Sequence, residues 1–291
     1  MRIQVTNDDG IESVGLQVLA RRLVEAGHDV FVVAPNRDWS GAGACIGSIR
    51  PDETLAATKV EIEAASGIEA WALDGPPALT VIAAQLGAFG AVPDLVVSGI
   101  NAGLNTGRSV LHSGTVGAAL TAQNFGTSAL AVSVAQSDPW QWDAAADAAV
   151  HVIGLLVDGP PRSVINLNVP ALGSAPLKGF RWGRLAPFGA VRAAVSSVGE
   201  ERLQFELTAS DYQPERDTDQ GIVDEGYASL TTLVGVTEAW SVSEDSTRTS
   251  DGSDVGRLDD HVVPGAPLRR IHRVPDASHS HSLRRPLIGV A

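Results

Sequence analysis

The chain has 291 residues with 34 acidic and 21 basic side chains, a formal net charge of −13, and 44% apolar against 19% charged residues. That fits one large or two small domains with a sizeable core, and the acidic balance excludes a protein that grips a nucleic-acid backbone through a basic face. The single cysteine, Cys45, excludes an intrachain disulfide and a cysteine-rich zinc site. No apolar run approaches the ~18 residues of a membrane-crossing helix. The segment 1–10 also carries charge where a signal peptide would carry its apolar stretch, so the expected location is the cytoplasm.

In chain order, Ile3 and Val5 alternate with polar residues and run into Asn7-Asp8-Asp9-Gly10. Leu16, Leu19, Leu23 and Val24 then recur at helical spacing, and Gly27 stands where that helix should stop. Val30 to Val33 is a short continuous apolar run, the pattern of a strand buried on both faces. A helix is predicted from about Ala78 to Phe89, a strand at Leu95–Val97, and a helix from about Thr115 to Asn124. A strand at Ala129–Val134, a helix at Trp142–Val157 and a strand at Val164–Val169 follow. Strands alternating with helices predict an α/β fold, a mostly parallel sheet covered on both faces. After Pro170 the character changes. Residues 191–208 predict two strands around Val198–Glu201, within a hairpin arm spanning about 175–210. From 241 the chain is rich in Ser, Asp, Arg and Pro, and 241–291 reads as a poorly ordered tail behind a 1–240 domain.

Four polar clusters follow predicted strands, and ligands of an open parallel sheet bind outside the carboxyl ends of its strands. Adjacent Asp8 and Asp9 repel each other. A divalent cation with a preference for oxygen ligands, Mg²⁺ or Mn²⁺, would stabilise both in ionised form; the plainer alternative is an Asp-Gly turn. Ser40-Gly41-Ala42-Gly43 is either an anion-approaching loop or a surface loop. Asn101 and Asn105 lie among Gly99, Gly103 and Gly107, a composition that favours a binding loop over a simple turn. Ser113-Gly114-Thr115 opens a helix, as a cap or as a phosphate seat. No lysine follows the glycines, so this is not a P-loop, and the first turn lacks the dinucleotide glycine pattern. Trp39 is either a base-stacking residue or a loop anchor. Cys45 reads as a bystander thiol, and His112 as a rim residue or a proton donor to a leaving group.

Taken together, these pieces resemble the SurE family of stationary-phase survival nucleotidases. The matching segments are Thr6 to Gly10, Ala34-Pro35 with Ser40-Gly41, Ser98 to Asn101 with Gly103 and Asn105 to Gly107, and Ser113 to Ala119. Asn166-Leu167-Asn168-Val169-Pro170, Asp217 to Asp219 and Gly226 to Thr231 continue the resemblance over about residues 1–235. It implies a Rossmann-like αβα sandwich with a protruding hairpin and a C-terminal extension, assembled as a homodimer or homotetramer. It also implies a metal-dependent phosphomonoesterase acting on nucleoside 5′- and 3′-monophosphates. The family's metal ligands map onto Asp8, Asp9, Ser40 and Asn101, and its phosphate-binding residues onto Asn105, Ser113, Gly114 and Thr115. Asp8 and Asp9 are the implied catalytic pair, by activating water or by direct attack. The family's Gly-Thr-Pro-Ala-Asp-Cys-Val segment is here Gly75 to Val81 with Leu79 in place of the aspartate, and Thr121-Ala122 replaces its Glu-Gly. These departures imply a second reading, a phosphatase for a non-nucleotide metabolite. A nucleotide-binding module without turnover is the rival from another class.

Overall fold

The first strand explains why the sheet is central. In β1 (Arg2–Thr6), Ile3 and Val5 are fully buried as the alternation predicts, yet Gln4 and Thr6 on the other face are fully buried too. They are not solvent-facing because a helix covers them. Gln4 Nε2 donates to the Thr80 carbonyl at 3.1 Å, and the Thr6 and Thr80 hydroxyls meet at 2.8 Å.

This computed structural model describes residues 1–237 apart from 51, 53, 64, 65, 173, 174, 189, 190, 199–202 and 210–212. The predicted tail at 241–291 and the Gly199–Glu201 turn therefore lie outside the described residues. After β1 come α1 (Val14–Glu25), β2 (Asp29–Pro35), β3 (Ala57–Val60), β4 (Glu69–Leu73), α2 (Pro77–Gln85) and β5 (Leu95–Ala102). A short 3₁₀ helix at Gly107–His112 leads into α3 (Gly114–Asn124), β6 (Ser128–Val134), α4 (Trp142–Asp158), β7 (Val164–Val169) and β8 (Phe180–Trp182). The chain continues through β9 (Val191–Val198), β10 (Leu203–Ala209), α5 (Asp219–Asp224) and β11 (Ala228–Leu233).

Nine strands form one sheet in the order β3-β4-β2-β1-β5-β6-β7-β11-β8. From β4 to β7 all neighbours are parallel, whereas β3 on β4 and β11 on β7 are antiparallel. The sheet is therefore mixed and mostly parallel, as predicted. α1 and α4 pack on one face over Ile3, Val5, Val32, Val97 and Leu130, and α2 and α3 pack on the other over Phe31, Val33, Val96 and Ala131. α1 starts at Ser13, whose hydroxyl accepts from the Leu16 amide, and stops before Gly27 at φ +86°, where a left-handed residue is needed. Its Leu16, Leu19 and Leu23 are fully buried, so truncating any one to alanine should cost about 2–5 kcal/mol.

Several predicted boundaries differ, and β5 runs on from the predicted Leu95–Val97 to Ala102, so Asn101 stands within the strand. α2 ends at Gln85 rather than Phe89, because Gly87 adopts φ +83° and turns the chain. Within 175–210, Phe180–Trp182 joins the main sheet beside β11, and only β9 and β10 form the separate antiparallel hairpin. The strands β3 and β4 went unpredicted: β3 is an exposed edge strand, and β4 is only five residues long.

The chain order places the site. From β1 the sheet grows outward through β2 and β4, then returns to add β5 on the other side of β1. The strand order reverses between β1 and β5, and the crevice at their carboxyl ends is where such sheets bind ligands.

Candidate active site

Asp8 and Asp9 leave β1 at that reversal. Asn7 shapes the turn: its Nδ2 donates to the Gly10 carbonyl at 3.0 Å and to Ser13 Oγ at 2.6 Å, while its Oδ1 accepts from the Gly10 amide at 3.2 Å. Asp8 is only 3% exposed. Its carboxylate sits at the start of α3, where it accepts from the Gly114 amide at 3.0 Å and from the Thr115 hydroxyl. The helix N-terminus thus holds a carboxylate of the chain itself, and its partial positive charge favours that anion. A Cβ at Gly114 would lie 2.6 Å from Asp8 Cβ, so only glycine allows the approach.

Burial pushes the Asp8 carboxyl above the usual carboxylate range, and the Thr115 and Gly114 donors pull partly the other way. Asp9 is pushed up to about 6, first by burial and then by the neighbouring Asp8 charge, against the Ala102 amide that donates to it. Among the described residues, no lysine, arginine or histidine forms an ion pair with either carboxylate. Two adjacent, desolvated carboxylates without a basic partner make an anionic site suited to a cation.

Two further segments reach the turn that carries the pair. The Trp39 amide donates to the Asp8 carbonyl at 2.8 Å and draws the Ser40 loop alongside. Ser40 is exposed, and both its amide (2.7 Å) and its hydroxyl (2.6 Å) donate to Asp38 Oδ1. Asn101 follows a bulge in β5 at Gly99–Ile100, and its Nδ2 donates to the Gly103 carbonyl at 2.8 Å. The adjacent Ala102 amide is the one bonded to Asp9, so Asn101 lies beside the carboxylates. The described residues contain no group of three or more His, Cys, Asp and Glu side chains that could hold a metal. A cation here would rest on two carboxylates completed by hydroxyl and amide oxygens, a donor set suited to Mg²⁺ or Mn²⁺.

Three of the four proposed phosphate contacts gather at the same point. Ser113 caps α3, its Oγ accepting from the Val116 amide at 3.1 Å, and Gly114 and Thr115 already serve Asp8. Asn105 is held by a different set of partners. Its Nδ2 donates to Ser133 Oγ at 2.9 Å, and its backbone is bonded to Asn166 and Asn168 of β7. Trp39 lies beneath the Arg37 guanidinium, 4.6 Å from its ring centre, and Cys45 and His112 are exposed.

A family model described as Survival protein SurE matches residues 3–189. The chain belongs to the SurE family. It is 39% identical over 238 residues to the 5′-nucleotidase SurE of Chloroflexus aggregans, a match that covers 79% of this chain and 92% of that one. It is 38% identical over 240 residues to the 5′-nucleotidase SurE of Gloeobacter violaceus, covering 80% and 89%. The crystal structure of the SurE protein from Aquifex aeolicus superposes with a TM-score of 0.66 at 28% identity, covering 80% of this chain and 93% of that one. Those names denote a phosphomonoesterase, the reaction class expected from the motifs, and the solved structure confirms the SurE-like α/β fold. No helix among the described residues is long and apolar enough to cross a membrane.

The structure brings into play two side chains to which the sequence reading assigned no role. Asp38 grips Ser40 and adds repulsion to Asp9. Its place two residues before a serine is the spacing of a local Asx turn, which was the available signal. Asp219 is buried and accepts from the amides of Gly107 (2.7 Å), Ala186 (2.9 Å) and Gln220 (2.8 Å). The departure at Leu79 falls away from the carboxylates, in the packing beneath α2 with Phe31, Val33 and Leu73. Thr121 turns its hydroxyl back to the Gly117 carbonyl within α3.

Proposed function

We propose that this chain is a metal-dependent phosphomonoesterase that hydrolyses nucleoside 5′-monophosphates, and also the 3′ isomers, to nucleoside and phosphate. The observation that carries the reading is the Asp8–Asp9 pair: adjacent, desolvated, without a basic partner among the described residues, and set at the reversal of the sheet. Asp8, Asp9, Ser40 and Asn101 would hold one Mg²⁺ or Mn²⁺. When bound, the cation supplies positive charge to the phosphate oxygens and Lewis acidity toward water.

The chain's own residues do the rest. Asp8 is fixed by Gly114 and Thr115 and so acts as a rigid anchor. Asp9 is less buried than Asp8 and is the carboxylate that accepts a proton from the attacking water. The Ser113 hydroxyl accepts from Val116 with a lone pair, which leaves its proton for a non-bridging phosphate oxygen. Asn105 contributes an amide to the same group. Water attack, rather than attack by aspartate, is the proposed route, and trapping of a covalent aspartyl-phosphate would overturn it.

The family resemblance and the exposed Leu111, Val234 and Val236 support a homodimer or homotetramer, which light scattering would read out. The deciding experiment measures inorganic phosphate released from nucleoside monophosphates with Mn²⁺ or Mg²⁺, with and without chelator. Chelator-sensitive release that Asp9→Asn abolishes is the expected result. Preference for sugar or metabolite phosphates would replace the substrate assignment. Nucleotide binding without release would replace the enzyme with a binding module.

A further inference from the structure

The Asn-x-Asn pair of β7 has no part in the reaction as proposed so far. Both side chains are fully buried, and both converge on a single residue of a loop more than sixty positions earlier. Asn168 Oδ1 accepts from the Asn105 amide at 2.8 Å, and Asn168 Nδ2 donates to the Asn105 carbonyl at 3.0 Å. Asn166 Nδ2 donates to that same carbonyl at 2.8 Å. Ser133, opposite Asn168 in the β6–β7 register, takes the Asn105 side-chain Nδ2. Neighbouring bonds immobilise the next two loop residues: the Thr106 hydroxyl meets Gln220 at 2.6 Å, and the Gly107 amide meets Asp219.

Stability alone does not account for this strip. Among the described residues, Asn166 Oδ1 has no hydrogen-bond partner, nor do Ser229 Oγ and Thr231 Oγ1, which lie opposite Asn168 and Asn166 on β11. Apolar side chains at Ser229 and Thr231 would leave no hydroxyl unpaired there, whereas the two asparagines are needed to pair the Asn105 backbone. A primary amide offers a donor and an acceptor together, so Asn168 can pair with both backbone groups of Asn105 as a neighbouring strand would.

We infer that Asn168, with Asn166, is a positioning residue that sets the Asn105 amide for the phosphate. The inference rests on the phosphatase reading above. The bonds of both asparagines meet at the loop residue proposed to touch substrate, and a shift of about 1 Å in such a group is enough to cost about a hundredfold in rate.

The test is a double-mutant cycle on kcat/KM for phosphate release from a nucleoside 5′-monophosphate with Mn²⁺. It compares the full chain with Asn105→Ala, Asn168→Ser and the double variant. Asn105→Ala should lose about a hundredfold, and Asn168→Ser at least about tenfold. The double variant should be no worse than Asn105→Ala, because a positioning residue has nothing left to position. Mn²⁺ affinity by calorimetry should be unchanged in Asn168→Ser. Losses that multiply in the double variant would overturn the inference, as would wild-type kcat/KM in Asn168→Ser. If Asn168→Ser does not fold, Asn166→Ser removes one bond and enters the same cycle with the same expected non-additivity. No phosphate release by the unmodified chain would instead remove the phosphatase reading, and this inference with it.

Discussion

Asp8 and Asp219 are both buried aspartates that accept backbone amides, and burial raises both above the usual carboxylate range. Their surroundings divide them. Asp219 spends its oxygens on three amides from three separate stretches of chain, and burial rather than a neighbouring carboxylate raises it. It ties the Gly107 turn, the Ala186 loop and the start of α5 together. Asp8 is also anchored, but Asp9 stands beside it, and their repulsion goes uncompensated. The same burial therefore yields a brace in one place and a cation site in the other. The distinguishing feature is the second charge, not the depth.

The sharpest way to break that contrast is to neutralise one member of each kind. Asp9→Asn should abolish phosphate release, a loss of at least about a thousandfold. It should also leave the cation-free protein as stable as before or more so, since a repulsion disappears. Asp219→Ala should do the reverse. Three buried amides lose their acceptor at roughly 1–3 kcal/mol each, so an unfolding penalty of about 3–5 kcal/mol in urea is expected after partial rehydration. Its Mn²⁺ affinity should stay near that of the unmodified chain. Destabilisation by Asp9→Asn, or loss of Mn²⁺ binding by Asp219→Ala, would show the division to be wrong. Next comes Gly114→Ala. The new Cβ meets the Asp8 carboxylate, and relieving that contact costs about 1–3 kcal/mol. Because the strain falls on the anchored carboxylate, Mn²⁺ affinity should drop about tenfold or more by calorimetry.

How much of this was legible beforehand follows the same division. Apart from β3 and β4, the strands and helices from β1 to β7 were readable because segments such as Leu16, Leu19 and Leu23, or Val30 to Val33, carry their own pattern. The Asp8–Asp9 turn was readable because like charges side by side are costly without a purpose. The brace was not. Asp219 and Asn168 work through partners 112 and 63 positions away, and nothing local in the sequence marks such a bond. Gln4 and Thr6 show a related long-range effect: they are polar yet buried, because Thr80 of α2 satisfies them in the core. The edge strand β3, with three of its four residues exposed, offers no alternation to detect.

A smaller effect sharpens the comparison through pH. With Asp9 pushed up to about 6, the folded, cation-free chain binds a proton between about pH 4 and 6 that the unfolded chain has released. Its contribution to stability is therefore full below the ordinary aspartate value and is lost as pH rises through 6. Cation binding runs the other way, since it needs the ionised form. Mn²⁺ affinity should fall about tenfold from pH 7 to pH 5, and the rise in Tm that Mn²⁺ produces should shrink in parallel. A pH-independent shift in Tm would place the cation elsewhere.

The smallest expected effect is a control on the glycine argument. Gly154 lies within α4, is exposed, and has nothing within 4 Å of where a Cβ would stand. Gly154→Ala should therefore stabilise the chain by about 0.5–1 kcal/mol, through helix propensity and a less flexible unfolded state. Mn²⁺ affinity and phosphate release should be untouched. The same substitution thus carries opposite signs at two helical positions, and only Gly114 has a carboxylate against it. If Gly154→Ala proved as harmful as Gly114→Ala, the cost at Gly114 would belong to helix backbones in general. The claim that glycine is required there to seat Asp8 would then fail.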